Sequence, residues 1–352
     1  MESIQMSILI SFFLIFSVQS ASAITTVDVV YSETANLFQI LDCVSQWWND
    51  SCGDEGAYRK EWVNHSKLTD ADLDLLKKYS TLREKYYKNE DSAEKDPSKN
   101  RNGLFATTGA ISADPIALAF YRAHDVEAAL INLEPVVSKE DRVFLRLFYK
   151  HFKNGANFFL RESTAFAPLA QRVNAQLKDG QYLAFLDKVK QFYGVSFDLN
   201  YKALYIWWPL PNRDYAYAVG DQLVLSKNPK AQLSWPDEDV IFHEIVHTIS
   251  ARQSFKQKQA LTQAFLDECK IDLKEKKNNI WEEPMAVAIG QMLFLKRFNP
   301  DRFKKETNWY RNAWVNKFSQ AVFPLVEKAF AKNKILDVDF ARAAGRACKG
   351  LR

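Results

Sequence analysis

The chain has 352 residues, 47% of them hydrophobic and 26% charged, which are the proportions of an ordinary globular protein. Its 47 Lys and Arg against 43 Asp and Glu give a net charge of only +4, and the two signs are interleaved. That argues against a nucleic-acid binder, which would gather its cations on one face.

Ser7 to Val18 is an apolar run of Ile, Leu and Phe, followed by Gln19-Ser20 and the small-residue pattern Ala21-Ser22-Ala23. This is the layout of a secretory signal with its cleavage site. The segment before the run holds Glu2 and no Lys or Arg, so the α-amino group is its only positive charge. No Cys sits just after the cleavage site to take a lipid anchor. No second run of about eighteen apolar residues follows, so no stable membrane insertion is expected after signal removal. The expectation is a signal peptide over 1–23, cut near Ala23/Ile24, and a secreted or periplasmic protein. About 330 residues then remain, enough for a sizeable core.

Residues 24–66 show aromatic and cysteine content without a clear period. Thr69 with Asp72 three residues on predicts a capped helix start, and Leu75, Leu76, Tyr79, Leu82 and Tyr86 keep one helical face. The stretch 89–103 is charged and carries Pro97 and Gly103, the composition of an exposed loop. From Asp114 to Phe192 the pattern is helix after helix. Pro115 suits a helix start, Asp125, Ser138 and Ser163 suit caps, and Val143, Leu145, Leu147, Phe148 and Phe152 form a packing face. His124 and His151 fall on separate segments here, where lone histidines are structural or surface residues. The region 24–196 is thus expected to be mainly helical.

The pattern changes near Phe197. Ala203-Leu-Tyr-Ile-Trp-Trp208 is rich in β-formers, Tyr215 to Val219 alternates at period two, Gly220-Asp221 suits a two-residue turn, and Gln222 to Leu225 returns. A small antiparallel sheet is therefore expected before residue 240. Ser234, Pro236 and the acids Asp237, Glu238 and Asp239 then open a helix, where negative charge suits the helix dipole. The last part, 301–352, places Phe318, Val322, Leu325, Val326 and Phe330 at helical spacing. The fold class is α+β, predominantly helical, with a core over 197–300 and a C-terminal helical region packing on it.

All four cysteines, Cys43, Cys52, Cys269 and Cys348, lie after the signal, and an even count in an exported chain suggests two disulfides. Three pairings are open; the simplest joins Cys43 to Cys52 and Cys269 to Cys348. No C-x-x-C spacing points to a cysteine metal ligand.

Chemistry is concentrated in Val240-Ile-Phe-His-Glu-Ile-Val-His-Thr-Ile249. On a helix His243 and His247, four apart, lie above one another and can reach one metal ion, while Glu244 can meet a water beside it. None of the flanking residues is charged, as a helix buried on its other sides requires. These ten residues resemble the extended H-E-x-x-H motif of the zincin superfamily of zinc metallopeptidases, and a sheet followed by this helix is similar to the zincin core. The resemblance implies one Zn2+ per chain, a third protein ligand and a peptide or protein substrate. The hairpin around Gly220 is then the candidate for the edge that would align an extended peptide.

The metzincin version of the motif would need Gly and His where this chain has Ser250 and Gln253, which excludes it. A carboxylate from a later helix remains. Trp281-Glu-Glu-Pro-Met-Ala-Val-Ala-Ile-Gly290 offers one: Asn279 with Glu282 suits a capping box, which leaves Glu283 projecting from the first turn. Ala286 and Gly290, on much the same face, would allow close approach to the His243 helix. Glu283-x-x-Ala286 resembles the gluzincin pattern, in which that Glu is the third ligand; Glu282 is the alternative. The resemblance further implies Glu244 as general base and a hydrogen-bond donor beyond the third ligand. Tyr310 is the one Tyr downstream and is named for that role, with Arg311 as the alternative. Two other functions stay open: a zinc-retaining binding or structural module, and a non-peptide amidase on the same site.

Overall fold

The computed structural model describes residues 25–47, 52, 56–87, 114–196, 199–211, 214–230, 238–270 and 281–351, and it is predominantly helical with one small sheet, as the α+β expectation required. The expected signal segment 1–23, the charged stretch 89–103, the helix-start residues Ser234, Pro236 and Asp237, and Asn279 lie outside the described residues.

The sheet has the order β1-β2-β4-β3. Strand β1 (Thr25–Tyr31) pairs in parallel with β2 (Leu199–Trp207), which pairs in parallel with β4 (Gln222–Lys227). Strand β3 (Tyr215–Val219) closes the edge antiparallel to β4 through the expected turn, with Gly220 at φ +63°. The hairpin is therefore antiparallel as expected, but the sheet around it is mixed. Its parallel partner β1 comes from the start of the chain, where buried Val27 and Val29 alternate with exposed Thr26 and Asp28. Central β2 is apolar on both faces, as a strand covered on two sides must be: Ala203 to Trp207 are all buried.

Among the described residues, eight helices separate β1 from β2: α1 (Glu33–Ser45), α2 (Ala57–His65), α3 (Asp70–Tyr86), α4 (Pro115–Arg122), α5 (Val126–Asn132), α6 (Lys139–Ser163), α7 (Phe166–Leu177) and α8 (Gly180–Tyr193). Their starts follow the sequence. Thr69 and Asp72 form the capping box of α3, Asp114 caps α4 ahead of Pro115, and Asp125 and Ser138 cap α5 and α6. Ser163 is a correction. It ends α6, donating to Leu160 O at 2.8 Å, and α7 begins after Ala165 with no side-chain cap. Val143 and Leu147 are also corrected: they face outward from α6, 44% and 61% exposed, while Leu145, Phe148 and Phe152 fill the core. His124 and His151 sit at the surface, each beside an aspartate.

Strand β2 sorts the helices by side-chain alternation. Tyr201, Tyr205 and Trp207 share one face: the Tyr205 ring stacks on Phe166 of α7, and the Trp207 indole N–H donates to Glu162 of α6. Lys202 points the other way, to the Tyr121 carbonyl of α4.

A charged knot ties α1, α3 and α4. Arg83, 1% exposed, holds Asp42 at 2.6 Å and Asp114 at 2.8 and 2.6 Å, and Tyr79 donates to Asp42 at 2.9 Å. Burial opposes the guanidinium charge, but Asp114 and Asp42 outweigh it and hold Arg83 well above its ordinary value.

After the hairpin come α9 (Glu238–Ala251), α10 (Phe255–Cys269), α11 (Glu282–Ala286), a π-helical turn over Val287–Leu293, α12 (Phe294–Phe298), α13 (Pro300–Lys305), α14 (Ala313–Ala331) and α15 (Val338–Lys349). The disulfides are Cys43–Cys52 and Cys269–Cys348, the simplest pairing. By loop entropy the first, spanning 9 residues, contributes about 2.6 kcal/mol and the second, spanning 79, about 4.5 kcal/mol. The second clamps α10 to α15, which approach so closely that a Cβ on Gly345 would lie 2.6 Å from the Phe265 carbonyl oxygen. Among the described residues no helix is long and apolar enough to cross a membrane.

Candidate metal centre

Helix α9 carries Val240-Ile-Phe-His-Glu-Ile-Val-His and is buried almost throughout. It packs against the β3–β4 hairpin on one side and the π-helical turn on another. Tyr201 on β2 hydrogen-bonds Thr248 on α9 at 2.5 Å, and Lys258 Nζ donates to the Ala251 carbonyl at 2.6 Å, placing positive charge at the helix C-terminus. The helix is thus fixed to the sheet, and its rotation decides where His243 and His247 point.

Glu283 meets them from α11. His243 Nε2 lies 3.1 Å from Glu283 Oε1, His247 Nε2 lies 3.2 Å from Glu283 Oε2, and the two Nε2 atoms are 3.1 Å apart. Three side chains from two helices therefore aim ligand atoms at one point, an arrangement that can hold a metal ion. The histidines are 5% and 6% exposed, and the Glu283 side chain is 15% exposed. The cluster lies behind the surface but stays open on the Glu283 side.

The close approach expected of Gly290 is present. A Cβ there would lie 2.5 Å from His243 Cα, 2.6 Å from His243 N and 2.8 Å from the Phe242 carbonyl carbon, all backbone atoms. Only glycine allows the π-helical turn to lie so tightly on α9. That turn itself was not visible in the sequence.

Asn279, the expected partner of Glu282 in a capping box at the start of α11, lies outside the described residues. The helix begins at Glu282 with Trp281 at its cap position and no side-chain capping bond. Glu282, 2% exposed, instead turns behind His247, with Oε1 at 3.4 Å from Nδ1. Pro284 falls in the first turn, where the helix needs no N–H from it. Trp281 anchors this start between Phe265 of α10 and Phe340 of α15, ring centroids 5.0 and 6.2 Å away. Helix α14 packs against both α11 and the π-helical turn, and its Phe318, Val322 and Val326 are fully buried.

Charges in the cluster are strongly perturbed. Burial pushes the Glu244 carboxyl up, against the pull of both histidines. Burial works against a charged His247, but Glu283 and Glu282 outweigh it and hold it well above the ordinary histidine range. Glu283 is held well below the carboxylate range, because His247 and His243 overcome its desolvation. Three carboxylates, Glu244, Glu282 and Glu283, thus crowd two imidazoles, an imbalance that a divalent cation would correct.

Tyr310 lies at the same place. Its ring is 6.4 Å from that of His243 and its hydroxyl hydrogen-bonds Glu283. Burial and the charges of Glu283 and Glu244 raise its pKa, so it stays a protonated donor. Its neighbour Trp309 is pinned by the Asn316 side chain at 2.9 Å and by Phe303, which orients the loop between α13 and α14. Arg311, the alternative, is exposed. Sequence reasoning weighed Glu282 as a capping-box residue and as the alternative ligand, and missed its place behind His247.

Compared with protein-family models, curated proteins and solved structures, the chain matches none.

Proposed function

We propose that the protein is an exported zinc-dependent peptidase of gluzincin type. The observation that carries this reading is the convergence of His243, His247 and Glu283: the two Nε2 atoms are 3.1 Å apart, and the two Glu283 oxygens lie 3.1 and 3.2 Å from one Nε2 each. Zinc–ligand distances of about 2.0–2.1 Å make tetrahedral edges of about 3.3–3.4 Å, close to the separation of the two Nε2 atoms and to the contact each makes with the carboxylate. Structural zinc sites close with four protein ligands, whereas three leave a position open for chemistry. That, with Glu244 standing beside these three residues, favours an enzyme over a zinc-holding scaffold. The apolar leader and the two disulfides favour an oxidising, exported location.

Held by the three residues, zinc would supply an activated water and polarise the scissile carbonyl. Glu244, its pKa raised by burial, takes the proton of the attacking water and passes it to the leaving amine. The Tyr310 hydroxyl, kept protonated, donates to the oxyanion that develops on the carbonyl oxygen. The β3 edge of the sheet offers backbone groups for pairing with an extended peptide.

Metal analysis of the wild-type protein beside three variants tests this. One zinc per wild-type chain is expected, retained in Glu244→Gln without activity on a peptide library and mostly lost in Glu283→Ala. Tyr310→Phe should keep zinc and lower kcat by about 10²–10³-fold. Unchanged peptide cleavage by Glu244→Gln would sink the mechanism. Cleavage of simple amides with none of peptides would replace the peptidase reading by an amidase.

A further inference from the structure

We propose that Glu282 is a positioning residue for the metal centre: its carboxylate accepts a hydrogen bond from His247 Nδ1–H and so presents the Nε2 lone pair to the ion. The inference rests on the metal-site reading above and adds a residue to it.

The case begins with two adjacent acids on one short helix. Neighbouring residues on a helix point about 100° apart, so Glu282 and Glu283 cannot both enter the ligand triangle. Glu283 takes it, with Oε1 and Oε2 at 3.1 and 3.2 Å from the two Nε2 atoms. Glu282 passes round the other side of the His247 ring, where Oε1 lies 3.4 Å from Nδ1. One imidazole is thereby gripped at both nitrogens by consecutive residues of the same chain. A carboxylate only 2% exposed is costly to bury and is kept where it has work or a partner.

The chemistry of an imidazole ligand gives the contact its meaning. A neutral ring carries one N–H, and the nitrogen that binds metal must be the other one. A carboxylate at Nδ1 fixes that choice, holds the ring plane and makes Nε2 a stronger base. His243 has no such support: its Nδ1 is buried and finds no hydrogen-bond partner among the described residues. Orientation of the pair therefore falls on His247, and Glu282 is the group that supplies it. Trp281, fully buried between α10 and α15, fixes the backbone from which Glu282 springs.

Zinc affinity measured by chelator competition, on the full protein with Glu282→Leu and Glu282→Gln beside wild type, tests the proposal. The Leu variant should bind zinc about 10–100-fold more weakly. The Gln variant, which keeps an acceptor of the same shape, should recover part of that loss. A structural role would not predict the second readout: the zinc-loaded wild type should show a slowly exchanging imidazole N–H proton from His247 that Glu282→Leu lacks. Affinities within twofold of wild type in both variants, with that proton retained, overturn the inference while leaving the zinc site standing. A wild type that binds no zinc overturns the site reading and this inference together. The near-isosteric Gln variant keeps the test decisive where Leu fails to fold.

Discussion

Gly290→Ala probes the tightest packing contact at the candidate centre. The added Cβ would meet His243 Cα at 2.5 Å, His243 N at 2.6 Å and the Phe242 carbonyl carbon at 2.8 Å. Carbon atoms rest at about 3.5–4.0 Å from one another, so α9 and the π-helical turn must part by about 1 Å at that point. No flexible side chain can yield instead, because every atom met is backbone. Overpacking of this kind costs about 1–3 kcal/mol, which lowers Tm by several degrees. The larger effect would fall on the proposed zinc site. His243 rides on one of the separating helices and Glu283 on the element continuous with the other, while metal–ligand distances tolerate only about 0.2 Å. Zinc affinity should therefore fall by more than the roughly 10–100-fold typical of changes outside the ligand set. Chelator competition and thermal unfolding measure the two effects, with Gly180→Ala as control, since a Cβ there meets nothing within 4 Å. A Gly290→Ala protein that binds zinc within twofold of wild type and melts at the same temperature refutes the reasoning.

Arg83→Met should destabilise the protein by about 3–5 kcal/mol, because Asp42 and Asp114 would stay buried without their guanidinium. Urea unfolding measures it, and a loss under about 1 kcal/mol would show that the carboxylates find other compensation. The α3–α6 contact should weaken in acid. Burial alone would raise Asp72, but hydrogen bonds from His151 and from the Thr69 backbone and hydroxyl hold its carboxyl below the usual range. Asp141, also opposed by burial, is held low by Lys85, Tyr86 and Ser138. A depressed folded pKa gives stability that is present above the unfolded value of about 3.9 and lost as pH falls through the folded one. Stability by urea unfolding should thus decline below about pH 4, with a shallower decline in Asp72→Asn, and equal slopes would count against the assignment.

The parts of the site that sequence could reveal were those set by short-range geometry. His243 and His247 share a face because four residues make about one turn, and Glu283 stood out because small Ala286 and Gly290 followed it on one face. Capping at Thr69, Asp125 and Ser138 was legible for the same reason, since a cap acts within three residues. Strand β1 was not. Its alternation of Val27 and Val29 with Thr26 and Asp28 was present, but its partner Leu199–Tyr205 is far along the chain, and parallel pairing leaves no local turn to announce it. Ser163 misled because a serine at a helix end can bond backward as readily as cap forward; here it donates to Leu160. The place of Glu282 was not legible either, because the Nδ1 of His247 is close to it only in space and only the fold could reveal that.

The centre is arranged against its own electrostatics, and that explains how its surroundings are built. Glu244 and Glu282 are 7% and 2% exposed, and Glu283 is 15% exposed, so two imidazoles face three carboxylates away from water. His247 offsets part of that negative charge, but like charges repel most where water is excluded, and this would push the excess carboxylates apart. The neighbouring structure prevents that from two directions. On one side, α9 is tied to the sheet through Tyr201 and Thr248 and held at its end by Lys258. On the other, Trp281 wedges the start of α11 between α10 and α15, whose spacing is set by Gly345 and the Cys269–Cys348 bond. Gly290 then lets the two halves touch backbone to backbone. The ligands are held together by packing that does not include the ion, which is the condition for a site preorganised to take it up.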